Sequence, residues 1–395
     1  MAFKPNVAVP SLRAFPRQVN SHDELENPLF RASTRASITA CGALVVFGCL
    51  IGIAGFSIGV YLSSISVLSS EISNNQIIAL FVVLPVIIIL FIRLLVYSIT
   101  VYRHQLFTNM LDDAHNEWRY WASKHLGLLT HSRLTQIDEE KQEGVPLFSL
   151  PINKDNALTL NALKSLSSWE KQETTIQKLL VPIADFYHQH SLTQPITLYW
   201  QAEESEANWT ALIEQEATRL SLALESVEIL PYKSLSEWLL ALYENPFEPK
   251  LYAILAFQLD SMASEEAASL LLAPQGFYER LRAPIKAKLL RPISTDIESF
   301  PDALKAQCEF QLPGHQLNSV WHSGIADKNK SQCIESYVQQ DIHCLLNQFY
   351  DVDTFFGKCG VARHSTILSL VSDNHENQLI VCQENDNVLL QQIIC

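Results

Sequence analysis

Two apolar runs separated by a short polar interval dominate the pattern of this chain. From Ala36 to Ser70 no residue carries a charge. After Glu71 and Asn74-Asn75-Gln76, a second run extends from Ile77 to Ile92, is interrupted at Arg93 and continues to Val101. Each run can supply the roughly 20 apolar residues that cross a bilayer core. The interval between them is too short for a domain, so the pattern predicts a transmembrane hairpin over 36–102, with passes at 38–62 and 77–99. Within the first pass Gly48, Gly52, Gly55 and Gly59 recur at steps of four, three and four. That spacing puts them along one helical face and predicts a helix-packing surface in lipid, against the second pass or a second copy of the chain. Pro85 is where the second pass is expected to kink, and Arg93 is expected to reach from the end of its span to the interface.

Past the hairpin the period changes. The spacing of Leu106, Met110, Trp118 and Trp121 predicts a helix from His104 to His125 that continues the second pass and turns at Gly127, with the two tryptophans as packing anchors. Residues 103–150 read as this helix plus a linker, the polar stretch from Asp138 to Gly144 being followed by Pro146 and Pro151. Residues 151–395 then alternate. Two helical stretches divided near Trp169 occupy Asn156–Gln189, Ile196–Trp200 reads as a strand, Trp209–Leu224 as a helix and Val227–Leu230 as a strand. A helix follows over Ser236–Tyr243, capped by Ser234, and then Leu251–Phe257, an unbroken apolar run of the kind that forms a strand covered on both faces. Ser264–Leu272 reads as a further helix with Glu265 and Glu266 in its first turn. This alternation predicts an α/β domain with a layered, mixed or partly parallel sheet. From Pro284 the pattern loosens, which marks a second lobe. A helix is expected over Lys330–Gln348, with Cys333, Ile334, Tyr337, Ile342, Leu345 and Leu346 facing inward, and Thr366–Val371 with Gln378–Val381 as an antiparallel pair. No internal repeat is visible in the sequence.

Charge is divided unevenly along the chain. The net charge is -14, yet residues 1–103 hold seven Lys or Arg against four Asp or Glu, which leaves -17 for the remainder. A domain so acidic repels phosphate backbones and anionic headgroups, which argues against nucleic acid and for a basic or neutral protein partner. The basic residues Lys4, Arg13, Arg17, Arg31 and Arg35 precede the first pass, the loop between the passes has none, and Arg93 and Arg103 close the second. By the positive-inside rule both termini are cytoplasmic, and the layout is that of a multi-pass protein of a bacterial inner membrane. Residues 1–35, with four prolines and little periodicity, read as a flexible cytoplasmic tail. The apolar run begins too late and runs too long for a cleaved leader. Eight cysteines at irregular spacing, with no CxxC pair, fit reduced thiols.

The common catalytic signatures (GxxxxGK[ST], GxGxxG, GxSxG, HExxH) are absent from the sequence. His188-Gln189-His190 falls at a helix end and recruits no further ligand, so neither a metal nor a cofactor is expected. Cys333 and Cys344, eleven apart with His343 beside the second, share a face of one expected helix and read as buried structural thiols. His322-Ser323-Gly324 follows the apolar Val320-Trp321 and would present a histidine from a loop, a candidate general base.

Several of these segments resemble one family. Leu251–Leu272, a hydrophobic strand followed by Ser264-Glu265-Glu266-Ala267-Ala268-Ser269-Leu270-Leu271-Leu272, is similar to the strand and EGAAALLL-type segment of the thiolase-like (ketoacyl synthase) fold. His322-Ser323-Gly324 with Glu335 resembles that family's HGTGT…E stretch, and Phe356-Gly357-Lys358 its lysine segment. The family's nucleophilic cysteine sits in a DTACSS-like turn ahead of the EGAAALLL segment, and here no cysteine lies between Cys49 and Cys308. The resemblance therefore implies a degenerate copy used to bind a protein partner. The layout is similar to membrane-anchored adaptors of type VI secretion clusters, some of which hand over an effector. The alternative that the resemblance implies is an acyl-thioester or lipid-modifying transferase using His322 and Lys358.

Overall fold

The computed structural model describes residues 57, 61, 83–140, 151–203, 208–259, 262–342, 348–384 and 386–395. The first expected pass, with Gly48, Gly52, Gly55 and Gly59, lies outside the described residues, as do His343 and Cys344. The chain divides into two compact units, 1–112 and 113–395.

Helix α1 (Leu84–Ser123) is 40 residues long and is, among the described residues, the one helix long and apolar enough to cross a membrane. Forty residues at 1.5 Å each extend well beyond a bilayer core, so the polar half from Arg103 onward carries on past the apolar half. The apolar half exposes Phe91, Leu94 and Tyr97, a surface that suits lipid better than water. One such helix is described where the sequence predicts two passes. Pro85 lies near the boundary of the described residues, with Val83 already helical before it.

The expected turn at Gly127 is instead the start of a strand. β1 (His125–Thr135) follows α1 after Lys124 alone. Gly127 is needed for packing: a Cβ there would come within 2.7 Å of the Tyr278 ring. After α2 (Gln136–Glu140) come α3 (Ser168–Gln189), β2 (Ile196–Ala202), α4 (Trp209–Arg219), β3 (Leu224–Ile229), α5 (Leu235–Glu244), β4 (Leu251–Gln258), β5 (Glu266–Pro274) and α6 (Gln275–Leu281). The expected helix over Ser264–Leu272 is strand β5, buried at every position. Between β1 and β4 it has no wet face, so its apolar run carries neither helical nor alternating period. Glu265 and Glu266 cap no helix and pair instead with Lys171 and Arg363.

The remainder comprises β6 (Ala287–Leu290), β7 (Ile293–Asp296), α7 (Phe300–Phe310), β8 (Ser319–Ser323), α8 (Asp327–Gln339), β9 (Phe349–Asp351), α9 (Val352–Phe356), α10 (Arg363–Val371), β10 (Gln378–Glu384) and β11 (Asn387–Ile394). Thr366–Val371 lies in a helix, not in a strand paired with Gln378–Val381; β10 takes β11 as its antiparallel neighbour and β8 as its parallel one. Ile334, expected inward, is half exposed on α8, whereas Cys333 and Tyr337 are buried as expected.

The strands form a single mixed sheet in the order β3-β2-β4-β5-β1-β6-β11-β10-β8-β9, with β7 beside β11. Counted within itself, β1–β5 runs in space as third, second, fourth, fifth, first. The series β6, β8, β9, β10, β11 has the same order, with the same single strand antiparallel to its neighbours. The unit is an internal repeat that the sequence does not show, joined where β1 pairs β6 from His125–Leu290 to Leu128–Ala287. Tyr243 on α5 pins that seam. Its hydroxyl accepts from the Leu126 N–H and donates to the Leu289 carbonyl.

Three cores follow from this arrangement. One face of both repeats meets α5 and α10 in a shared core that includes Leu126, Trp238, Ile254, Leu272, Trp321, Ile367 and Ile380. The other face is covered by α3 and α4 in the first repeat and by α7 and α8 in the second. Each fully buried leucine or isoleucine in these cores contributes about 2 kcal/mol relative to exposure.

Candidate functional site

In each repeat the fourth helix, α5 or α10, enters the shared core from its N-terminal end. α5 begins where Ser234 accepts a hydrogen bond from the Glu237 N–H, the cap expected from the sequence. Ser236 is the second residue of α5 and His364 the second of α10, so the repeat places them at equivalent positions. They meet. Ser236 Oγ lies 3.1 Å from His364 Nδ1 and donates to Glu384 Oε1 at 2.6 Å. Glu384 ends β10 and is half-buried, so Ser236 and His364, both buried, sit one side chain beneath the surface.

The protonation states follow from the contacts. Burial lowers the His364 pKa while Glu384 opposes, so the ring is held toward the neutral form. With its proton on Nδ1 the ring donates to Ser236 Oγ, which keeps its own proton for Glu384. Nε2 makes no hydrogen bond at normal distance, and an interaction with the Gln391 side chain joins Glu384 in opposing the effect of burial. Of the first-turn amides of α5, that of Glu237 is taken by Ser234, and those of Leu235 and Ser236 have no acceptor within the helix. Hydroxyl, imidazole, carboxylate and helix dipole thus converge on one oxygen.

A second buried network fixes the approach to α10. Arg363, the residue before His364, is 2% exposed. Its Nε donates to Glu266 at 3.0 Å, one terminal nitrogen to Asp353 at 2.6 Å and the other to the carbonyls of Phe356 and Gly357 at 3.2 Å. Asp353 also accepts from Ser323 Oγ at 2.9 Å and from the Gly324 N–H. Burial pushes the Glu266 carboxyl upward and Arg363 opposes it.

The residues singled out in the sequence are elsewhere. His322 is in strand β8, not a loop, and is fully buried. Its Nε2 lies 2.5 Å from the Tyr337 hydroxyl and its ring packs edge-on to Phe349. Its neighbour Trp321 faces the shared core, so His322 faces the outer core with Val320. Burial drives its pKa down to about 3. Lys358 is exposed, its backbone tied to Asn156 and Ser264. The structure thus brings neither His322 nor Lys358 to Ser236 and His364. His188 is at a helix end, bonded to the Leu220 carbonyl. Among the described residues no group of His, Cys, Asp and Glu is arranged to hold a metal. Burial raises the thiols of Cys308 and Cys333 to about 11 and that of Cys382 well above its ordinary range, so none of these is a thiolate near neutral pH.

Comparison with known proteins adds a likeness of fold. No family model matches the chain, and no curated protein matches it. Among solved structures, the chain is similar to a point variant of OleA of Xanthomonas campestris, with 6% identity over 69% of this chain and 99% of that one, at a TM-score of 0.44. It is also similar to the oxazolomycin ketosynthase domain OzmH KS8 of Streptomyces albus, with 12% identity over 69% and 95% of the two chains and a TM-score of 0.47. A ketosynthase of the bacillaene synthase of Bacillus subtilis gives 10% identity over 68% and 70%, at a TM-score of 0.46. Two of these three carry the name ketosynthase, and none carries that of a secretion adaptor.

Proposed function

We propose that the domain transfers acyl groups and that Ser236 is its nucleophile, in a protein held at a membrane by α1. The observation that carries this reading is the convergence of His364 and Glu384 on the Ser236 hydroxyl at the N-terminus of α5. A serine attacks an acyl carbon when a neighbouring base takes its proton and fixed dipoles receive the developing oxyanion. In this geometry Oγ–H breaks toward the Glu384 carboxylate while Oγ bonds to the carbonyl carbon of an acyl thioester. His364 orients Oγ, and the Leu235 and Ser236 amides at the start of α5 are the donors for the oxyanion. The carbon–sulfur bond then breaks and the thiol leaves with the proton that Glu384 took up. A second acceptor, water or a hydroxyl or amine, completes the transfer. Multi-pass anchoring in a bacterial inner membrane with both termini cytoplasmic belongs to the same proposal and rests on the basic-residue asymmetry.

The test is intact-mass analysis of the detergent-solubilised full chain after incubation with acyl thioesters of short and long chain. An added acyl mass that maps to Ser236 and disappears in Ser236→Ala supports the reading. Unmodified protein with every thioester, or equal labelling of Ser236→Ala, overturns it.

A second reading, a protein-recruiting domain, is favoured by the -17 charge of the residues after 103. It leaves Ser236→Ala without effect and predicts a stoichiometric partner in gentle purification from native membranes.

A further inference from the structure

β11 is buried from Val388 to Ile393, and two glutamines interrupt its apolar run, Val388-Leu389-Leu390-Gln391-Gln392-Ile393-Ile394. Gln392 is used at both ends: its Oε1 accepts from the Leu312 N–H and its Nε2 donates to the Leu312 carbonyl. Gln391 is used at one. Its Nε2 donates to the Leu290 carbonyl of β6 at 3.1 Å, while Oε1 has no partner at normal hydrogen-bond distance among the described residues. A carbonyl buried in this way costs stability that a leucine would not. Strand alternation puts Gln391 on the face of Ile393, in the shared core that α10 enters. There its side chain interacts with the His364 ring, whose Nε2 is also unsatisfied, and the interaction raises the ring's pKa against the effect of burial. A group that favours the protonated ring is an acceptor. The amide nitrogen is already committed to Leu290, so Oε1 is the end turned to Nε2.

We infer that Gln391 is a positioning residue for the second half of the transfer: its Oε1 accepts from Nε2–H of His364 and so leaves Nδ1 free as the base toward the incoming acceptor. The inference rests on the proposed acylation of Ser236. Before acylation the ring proton is on Nδ1, where the Ser236 hydroxyl accepts it. In the acyl-enzyme Oγ is an ester oxygen, a poor acceptor, and the tautomer with Nε2–H bonded to Gln391 becomes the better one. The two tautomers interconvert by exchange with solvent, one proton leaving Nδ1 as another joins Nε2. The acceptor's oxygen or nitrogen then bonds to the acyl carbon as its proton passes to Nδ1. The carbon–Oγ bond breaks, and Oγ takes that proton back from Nδ1. Around the ring stand Ser236 of α5, Glu384 of β10 and Gln391 of β11, of which Glu384 alone is ionisable.

The experiment follows acyl mass on Ser236 of the full chain in detergent, first during incubation with an acyl thioester and then after the thioester is removed. Gln391→Met keeps the side-chain volume and lacks the acceptor. In this variant acylation is expected to stay within roughly threefold of the parent. Loss of the acyl group is expected to slow roughly tenfold or more, and the midpoint of its rise with pH to move down by roughly one unit. Gln391→Glu, which restores an acceptor, should return the loss to within roughly threefold of the parent. Nuclear magnetic resonance of isotope-labelled histidine, with the His364 signal identified by its absence in His364→Gln, should show the same downward shift in Gln391→Met before any acylation. An unchanged His364 titration, acylation and loss slowed to the same extent, or loss as slow in Gln391→Glu as in Gln391→Met overturns the inference and leaves the Ser236 reading intact. A parent chain that takes up no acyl mass overturns that reading, and the inference with it, whatever the titration shows.

Discussion

The guanidinium carbon of Arg291 lies 3.7 Å from the centroid of the Trp121 ring, and on its other side 5.4 Å from that of Tyr243. Arg291 is 4% exposed, and burial lowers its pKa to about 10, so it remains charged at neutral pH. It joins the end of α1 to the seam that Tyr243 closes. Gln311 adds to the joint by donating to the Arg291 carbonyl at 2.8 Å and to that of Ala122 at 3.4 Å. Trp118 packs edge-on to Trp121 and against Phe310.

Truncating this joint is expected to be costly. Arg291→Ala should destabilise the domain by about 2–3 kcal/mol, because a desolvated cation–π contact and its packing are lost together. Arg291→Lys should recover part of that. Thermal unfolding of the detergent-solubilised chain, followed by tryptophan fluorescence, measures both.

Gly127→Ala is expected to cost about 1–3 kcal/mol. The added methyl would come within 2.7 Å of Tyr278 and 2.8 Å of Ile285, in a part of the sheet where the backbone is held on both sides. Gly276→Ala, whose Cβ meets nothing within 4 Å, serves as the control and should be close to neutral. Chemical denaturation of the two variants side by side decides it.

Breaking the Arg363 network is expected to cost about 3–5 kcal/mol, since Glu266→Gln leaves a buried guanidinium short of a counter-charge. Arg363 precedes His364, so the variant should also slow any Ser236 acylation, whereas Lys358→Ala, at an exposed side chain, should leave its rate unchanged. Time-resolved mass spectrometry reads the rate and denaturation reads the stability.

Acid should unfold the domain through its buried histidines. Burial lowers His322 to about 3 and His131 to about 4 from an ordinary value of 6.5; Asp351 opposes the first shift and Asp373 the second. The folded form therefore binds fewer protons than the unfolded chain between these limits. Stability is fully present above pH 6.5 and is lost as pH falls toward the folded values. Glu266, whose carboxyl is raised, acts in the opposite sense above 4.5, so the informative comparison is between the parent and a single variant. In His322→Gln the fall of the melting temperature with pH should be shallower.

What is legible in the sequence is whatever keeps one wet face. The helix expected over Trp209–Leu224 forms over Trp209–Arg219 with Leu212 and Ile213 inward, while Leu224 opens β3, and the Ser234-capped helix is where its cap places it. The run at Leu251 is legible for the opposite reason, being wholly apolar and flanked by a proline-containing turn. β1 and β5 escape such a reading because each is buried on both sides in the middle of the sheet, where neither period operates. The candidate site is illegible for a different cause. His364 and Glu384 lie 128 and 148 residues from Ser236, and no local pattern marks a hydroxyl at a helix start as reactive. The repeat that brings them together is written in strand order and not in residue identity. His322 stands out through the motif it resembles, yet strand parity turns it into the outer core.

The position of β1 bears on how the chain is made. It leaves the ribosome directly behind α1, yet both its neighbours come much later: Leu126 pairs with Pro274 on one side and with Leu289 on the other. Until both partners have been synthesised, an eleven-residue strand waits with two open edges. Contacts so distant in sequence form slowly and leave the nascent chain open to mispairing. Substitutions that slow the pairing of β1 with β5 or β6 should lower the yield of the protein before they lower its stability.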